Sequence, residues 1–187
     1  MAFLYSKTNR RILLSLIIAW GTVSFWVINQ ATFSRILISL LGVLSLVFVW
    51  TEIAPIFILI FSSFSISYAL YGFLFQFNLP IWLIMLAILI IFGYLFVYTE
   101  QKLGILGDKR LIYLVLFSLI TLEVFLVLNY FLISPISKSL IIATGSYVFI
   151  GFCYTILAKH TDNKFQTYLI ISAAVIATIF VTSIWGL

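Results

Sequence analysis

Glu123 is the residue in this chain whose type and position could do chemistry, since it lies at the centre of the apolar run 111–133, twelve residues from one end and ten from the other. A carboxyl group at that depth in hydrocarbon costs at least about 2.5–3.5 kcal/mol on insertion scales, and such groups mark ion or proton pathways or pair with a polar group on another helix. Its own helix offers little help. The positions stacked with it are Leu119, Ile120, Leu126 and Val127, with Tyr130 two turns on. A partner has to come from another span, and the polar residues at matching depth are Ser146 and Tyr147 in the sixth, and Ser65 and Tyr68 in the third. Two readings stand side by side: a protonated Glu123 making one interhelical hydrogen bond that fixes packing, and an ionisable Glu123 that carries a proton or ion. A third places it against lipid or a partner protein.

The other reactive side chains are isolated. Cys153 is the single cysteine and sits in an apolar stretch, which excludes intrachain disulfides, CxxC pairs and cysteine-based metal sites and reads as a packing residue. His160 is the single histidine, with only Asp162 near it in sequence, too few groups for a zinc site or a catalytic triad. Glu52 sits at a turn and reads as a helix-end charge. Ser62, Ser63, Ser65 and Ser67 do not share one narrow face at 100° per residue and read as hydroxyls that bond back to their own helix or permit close packing. Gly145, Ser146 and Gly151 are small residues of the sixth span, and Ala173 and Ala177 of the seventh are spaced as small-xxx-small; both read as places where membrane helices approach, within the chain or to a second copy. With no paired intramembrane carboxylates, no Gly-x-Ser-x-Gly and no phosphate-cradling glycine loop, the expectation is a protein that is not an enzyme and takes no cofactor. A retinal-binding photoreceptor is excluded because its last span has no lysine after Lys164.

The elements that must position these residues are membrane helices. Apolar residues make up 65% of the 187 and charged residues 8%, against roughly 45–50% and about 25% in soluble domains. So few polar groups cannot cover a surface in water, and the solvent is lipid. A helix crosses the hydrocarbon in about 20 mostly apolar residues. Runs of that kind fall at 12–29, 36–50, 54–75, 81–99, 111–133, 139–158 and 165–185, which predicts a single all-α polytopic bundle of about seven spans with no soluble domain. The first run follows a basic flank without a small-x-small cleavage site and reads as an uncleaved span. Residues 36–75 are too long for one crossing; a tight turn at 51–55 divides them, with Thr51 as a cap and Pro55 in the first turn of the next helix. All three prolines fall at expected turns, and the two sets of three spans, 36–99 and 111–185, show no self-similarity of the kind that marks many transporters.

Charge sets the direction. With the N-terminus inside, Lys7, Arg10, Arg11, Lys102, Lys109, Arg110, Lys159 and Lys164 lie on one side and only Arg35 and Lys138 on the other, the asymmetry expected of cytoplasmic loops. Fusing the second and third spans would destroy it. The same scatter of cations through short loops speaks against nucleic acid, which needs a clustered basic face. Trp50, Trp82, Trp185, Tyr98 and Tyr113 fall near span ends, where amphipathic rings suit the headgroup level, whereas Trp20 sits mid-span and should pack on another helix.

The stretch 121–152 resembles a pattern of small uncharacterised polytopic proteins of candidate-phylum bacteria: a mid-helix Glu, an aromatic-rich end, then Pro-hydrophobic-Ser before the next span, here Glu123, Phe125, Phe131, Pro135, Ile136 and Ser137. Leu126 stands where that pattern has Trp. The resemblance implies a bacterial origin and attaches no activity. The expectation is a multi-pass protein of the inner (cytoplasmic) membrane whose partners are the lipid bilayer and a second copy or another membrane protein. It acts as a structural or accessory helix-bundle subunit or, alternatively, as a small proton- or ion-coupled transporter using Glu123.

Overall fold

In a computed structural model, which describes residues 7–104, 110–154 and 164–184, the described residues form seven α-helices and no strand: α1 (Lys7–Ile28), α2 (Thr32–Thr51), α3 (Pro55–Gln76), α4 (Ile81–Leu103), α5 (Arg110–Asn129), α6 (Pro135–Phe152) and α7 (Lys164–Ile184). Six of these, α1 to α6, are long and apolar enough to cross a membrane, and the described side chains of α7 give a shorter apolar helix, Gln166–Ile179. His160, Lys159, Asp162, Asp108, Lys109 and Trp185 lie outside the described residues.

Helix α3 is the axis of the bundle. It packs against α1, α2, α4 and α6, and 78% of its membrane window is buried, against 22% for α2. Lipid tails are as apolar as leucine, so helices do not associate to escape them; close contact and interhelical hydrogen bonds have to do the work. The residues of α3 supply both. Its serines keep the helix slim, and Ser65 lies directly beneath Gly21 of α1, where an added Cβ would come within 2.7 Å of the Ser65 hydroxyl. Its aromatics fill the remaining space: Tyr68 packs on Phe25 of α1 with ring centroids 4.4 Å apart, Trp20 of α1 stacks on Phe73 at 5.7 Å as its mid-span position suggested, and Tyr71 stacks on Phe125 of α5 at 4.1 Å.

The turn that separates α2 from α3 is real, but Thr51 is not its cap. Thr51 is the last residue of α2 and its hydroxyl donates to the Val47 carbonyl at 2.8 Å. The reversal comes instead from two left-handed residues, Glu52 (φ 60°) and Ala54 (φ 54°), with Pro55 at the start of α3 as expected. Helix ends differ from the apolar runs where apolarity and helicity part company. α1 begins at Lys7 and α4 continues to Leu103, so that Arg10, Arg11 and Lys102 are helical residues emerging from the membrane rather than loop residues. α5 stops at Asn129 instead of 133. Its last turn tightens through bonds from Tyr130 N–H to the Val127 carbonyl and from Phe131 N–H to the Leu128 carbonyl, and α6 then starts at Pro135 under a Ser134 cap, whose hydroxyl accepts from the Ser137 N–H at 3.1 Å. α6 runs on through a π-helical turn at Cys153 and Tyr154, and the remainder of the expected run to 158 lies outside the described residues.

Candidate functional site

The structure places the sequence-derived polar set in four separate surroundings. Glu123 is exposed on the outward face of α5, among Leu116, Leu119, Ile120 and Val127, which are all more than 40% exposed. It has no hydrogen-bond or ion-pair partner among the described residues. No interhelical bond to Glu123 is found among the described residues, and the side chains at matching depth make other contacts. Ser146 is buried and donates to the Ile142 carbonyl of its own helix at 3.0 Å. Tyr147 packs its ring on Tyr168 of α7 at 4.6 Å. Ser65 donates to the Ser62 carbonyl at 3.3 Å, and Tyr68 is held among Phe25 and Phe64. The physical reason is rotational. Tyr71, Phe125 and the contact of α5 with α4 and α6 fix which side of α5 faces inward, and Glu123 lies on the other side.

The remaining serines of α3 depart from expectation in one respect. Ser62, Ser63 and Ser67 are fully buried, but only Ser65 bonds back to its helix; the other three hydroxyls have no partner. Cys153 is buried, as a packing residue should be. Ala173 and Ala177 are exposed, and among the described residues the close approach of α7 to α6 is made by Gly151 against Tyr168 instead.

A polar site that the sequence did not single out is built where α1 begins, α2 turns into α3 and α4 ends. The left-handed backbone at Glu52 swings its carboxylate between two helices, and its two oxygens take different cations: Arg11 of α1 at 2.5 Å and Lys102 of α4 at 2.6 Å. Glu52 is thus not a simple helix-end charge. Arg10, one residue before, donates to Gln101 of α4, and the Tyr94 hydroxyl donates to the Arg10 carbonyl at 2.9 Å. Arg11 also lies over the Trp50 ring, 5.9 Å from its centroid. Next to this group the Arg110 guanidinium of α5 pairs with Glu100 of α4, a carboxylate that is almost fully buried. Between Arg10, Arg11, Glu52, Tyr98, Gln101 and Lys102 lies a cavity of about 230 Å³. The partly exposed pairs of Glu52 contribute little each, about 0–1 kcal/mol. Their effect is to tie α1, α4 and the α2–α3 turn together at one end of the bundle.

At the opposite end, Lys138 overturns its reading as a loop cation. It is a residue of the first turn of α6 and only 3% exposed, with its ammonium 5.0 Å from the Phe75 ring centroid and 5.4 Å from that of Tyr71. The electron-rich faces of two rings take the place of a carboxylate. Arg35 makes a related arrangement, lying 4.7 Å over Trp26 and donating to the Asn29 carbonyl at 2.5 Å.

Comparison with protein families, with curated proteins and with solved structures finds no match to this chain. Its function has to be read from the residues themselves.

Proposed function

We propose that this integral membrane protein is an accessory helix-bundle subunit of a bacterial inner-membrane assembly, and that it docks another membrane protein through the outward face of α5. The observation that carries this reading is Glu123 exposed among apolar side chains at mid-span. A carboxyl group facing lipid at that depth keeps its insertion cost. A partner helix that brings a Lys, Arg, hydroxyl or amide donor to the same level removes it. A second copy related by a two-fold axis fits less well, because an isologous contact centred on Glu123 sets carboxyl against carboxyl. The carrier alternative is also less favoured by the geometry, since coupling sites lie where helices face one another across a cavity, and Glu123 is exposed on α5 with no partner among the described residues.

Replacing Glu123 with Leu tests the proposal. The purified variant is expected to be as stable as wild type or more so, while the assembly solubilised from native membranes loses mass on a native gel and photo-cross-links from positions 119 and 127 to the partner disappear. A purified Glu123→Leu protein that melts well below wild type would show a packing role instead, and cross-links to the same chain alone would replace the partner by a second copy. Glu123→Gln keeps hydrogen bonding without ionisation and is expected to retain the assembly; a carrier that needs the proton would lose activity.

Orientation is checked separately. Cysteines placed at 76–79 and 134–137 are expected to react with an impermeant reagent in intact cells, and cysteines at 100–104 to be protected. The reverse pattern would invert the topology drawn from the eight-to-two cation split.

A further inference from the structure

We infer that the cavity at the α1–α4 end of the bundle is a binding site for a phosphate group. Among the described residues, three cations, Arg10, Arg11 and Lys102, line the cavity together with one carboxylate, Glu52, which pairs with Arg11 and Lys102. Glu52 holds Arg11 and Lys102 in place, and Gln101 does the same for Arg10. The cations are therefore ordered before any ligand arrives, which lowers the entropy cost of binding.

Two further atoms point to an occupant. Tyr98 lines the cavity and is only 4% exposed, and its hydroxyl has no hydrogen-bond partner among the described residues. The Nε–H of Arg11 is likewise buried without one. Buried donors are ordinarily satisfied, and one left unmade costs about 1–3 kcal/mol. Hydroxyl and guanidinium donors around a positive centre match a tetrahedral oxyanion with several acceptor oxygens.

The position of the cavity agrees with that chemistry. It lies where the apolar segment of α1 gives way to Arg10 and Arg11 and that of α4 gives way to Gln101 and Lys102, which is the level of lipid headgroups. Basic pockets between helices at that level take the phosphate of anionic lipids. A soluble phosphate ester would present the same group from the aqueous side. The inference does not depend on the docking role of α5, which lies on other residues.

The test uses the full chain purified in neutral detergent, with native mass spectrometry and thermal unfolding as readouts. Inorganic phosphate, phosphatidylglycerol and phosphatidylcholine are the three probes. Wild type is expected to retain phosphatidylglycerol and to melt higher in its presence, with no such effect from phosphatidylcholine. Tyr98→Phe removes one hydroxyl and keeps the ring, and is expected to weaken retention roughly tenfold, in line with the loss of one hydrogen bond to a charged group. Lys102→Gln should weaken it further. Protection by inorganic phosphate, with displacement of the lipid, identifies a soluble phosphate ligand; protection by the lipid alone identifies a headgroup. Equal retention of phosphatidylglycerol by wild type and both variants would overturn the inference, because it would mean attraction to the surface at large. So would no effect of either phosphate-bearing probe.

Discussion

Replacing Tyr71 with Ala is expected to destabilise the protein by about 3–5 kcal/mol, the range for truncating a large buried aromatic. Tyr71 is fully buried in α3 and joins three helices at one point. Its ring stacks on Phe125 of α5 at 4.1 Å, its hydroxyl donates to the Phe125 carbonyl at 3.0 Å, and the Lys138 ammonium of α6 lies 5.4 Å from its centroid. Truncation removes the stacking, leaves a cavity that rigid neighbours cannot fill, and takes away one of the two ring faces that accommodate a buried cation. Tyr71→Phe separates these contributions, since it deletes the hydroxyl alone. Interhelical hydrogen bonds in membranes average only about 0.6 kcal/mol, with a maximum near 1.7, so the Phe variant is expected to lose no more than that. Denaturant titration in mixed micelles measures both. If the Phe variant lost as much as the Ala variant, the hydrogen bond and not the ring would hold the three helices together.

Gly151→Leu is expected to release α7 from the bundle, at a cost of about 1–3 kcal/mol or more. A Cβ at Gly151 would meet Tyr168 of α7 at 2.5 Å from Cγ and 2.6 Å from Cδ1. Those are atoms of a rigid ring, and the ring is itself held against Tyr147 at 4.6 Å, so it cannot move aside without breaking a second contact. Helix α7 packs on α6, which makes this approach the seat of its attachment. Gly145→Leu, on the same helix, is the control: nothing lies within 4 Å of a Cβ there, and the change is expected to stay within about 0.5 kcal/mol. The rate of photo-cross-linking from a probe at position 147 to α7, which leaves the Tyr168 ring in place, reads out docking and should fall for Gly151→Leu only. Equal rates in the two variants would show that α7 is held by something other than this contact.

These two glycines show the limit of sequence reading in a membrane protein. Gly145 and Gly151 look alike as small residues in an apolar helix, and only the placement of Tyr168 distinguishes them. The charged end of the bundle was half legible. Counting crossings puts Arg10, Arg11, Glu52 and Lys102 on one side of the membrane, but not in contact. Contact requires Glu52 to adopt a left-handed backbone between α1 and α4 and requires α1 and α4 to continue as helices beyond their apolar segments. Lys138 was misread for a related reason. A cation three residues after a turn proline suggests solvent, and nothing local reveals that two aromatic rings from α3 cover it.

What the sequence by itself determined is an all-α chain of successive apolar helices and the hairpin at Glu52, because run length against hydrocarbon thickness and the distribution of Lys and Arg are properties of the chain alone. What only the tertiary structure decided is rotation: which face of each helix turns inward, and hence that Glu123 lies on the outside while Ser146, Tyr147, Ser65 and Tyr68 are engaged elsewhere. In water a helix displays that choice as an apolar stripe. In lipid both the core and the surroundings are apolar, so the stripe fades and the choice falls to close packing, ring stacking and a few hydrogen bonds between residues far apart in sequence.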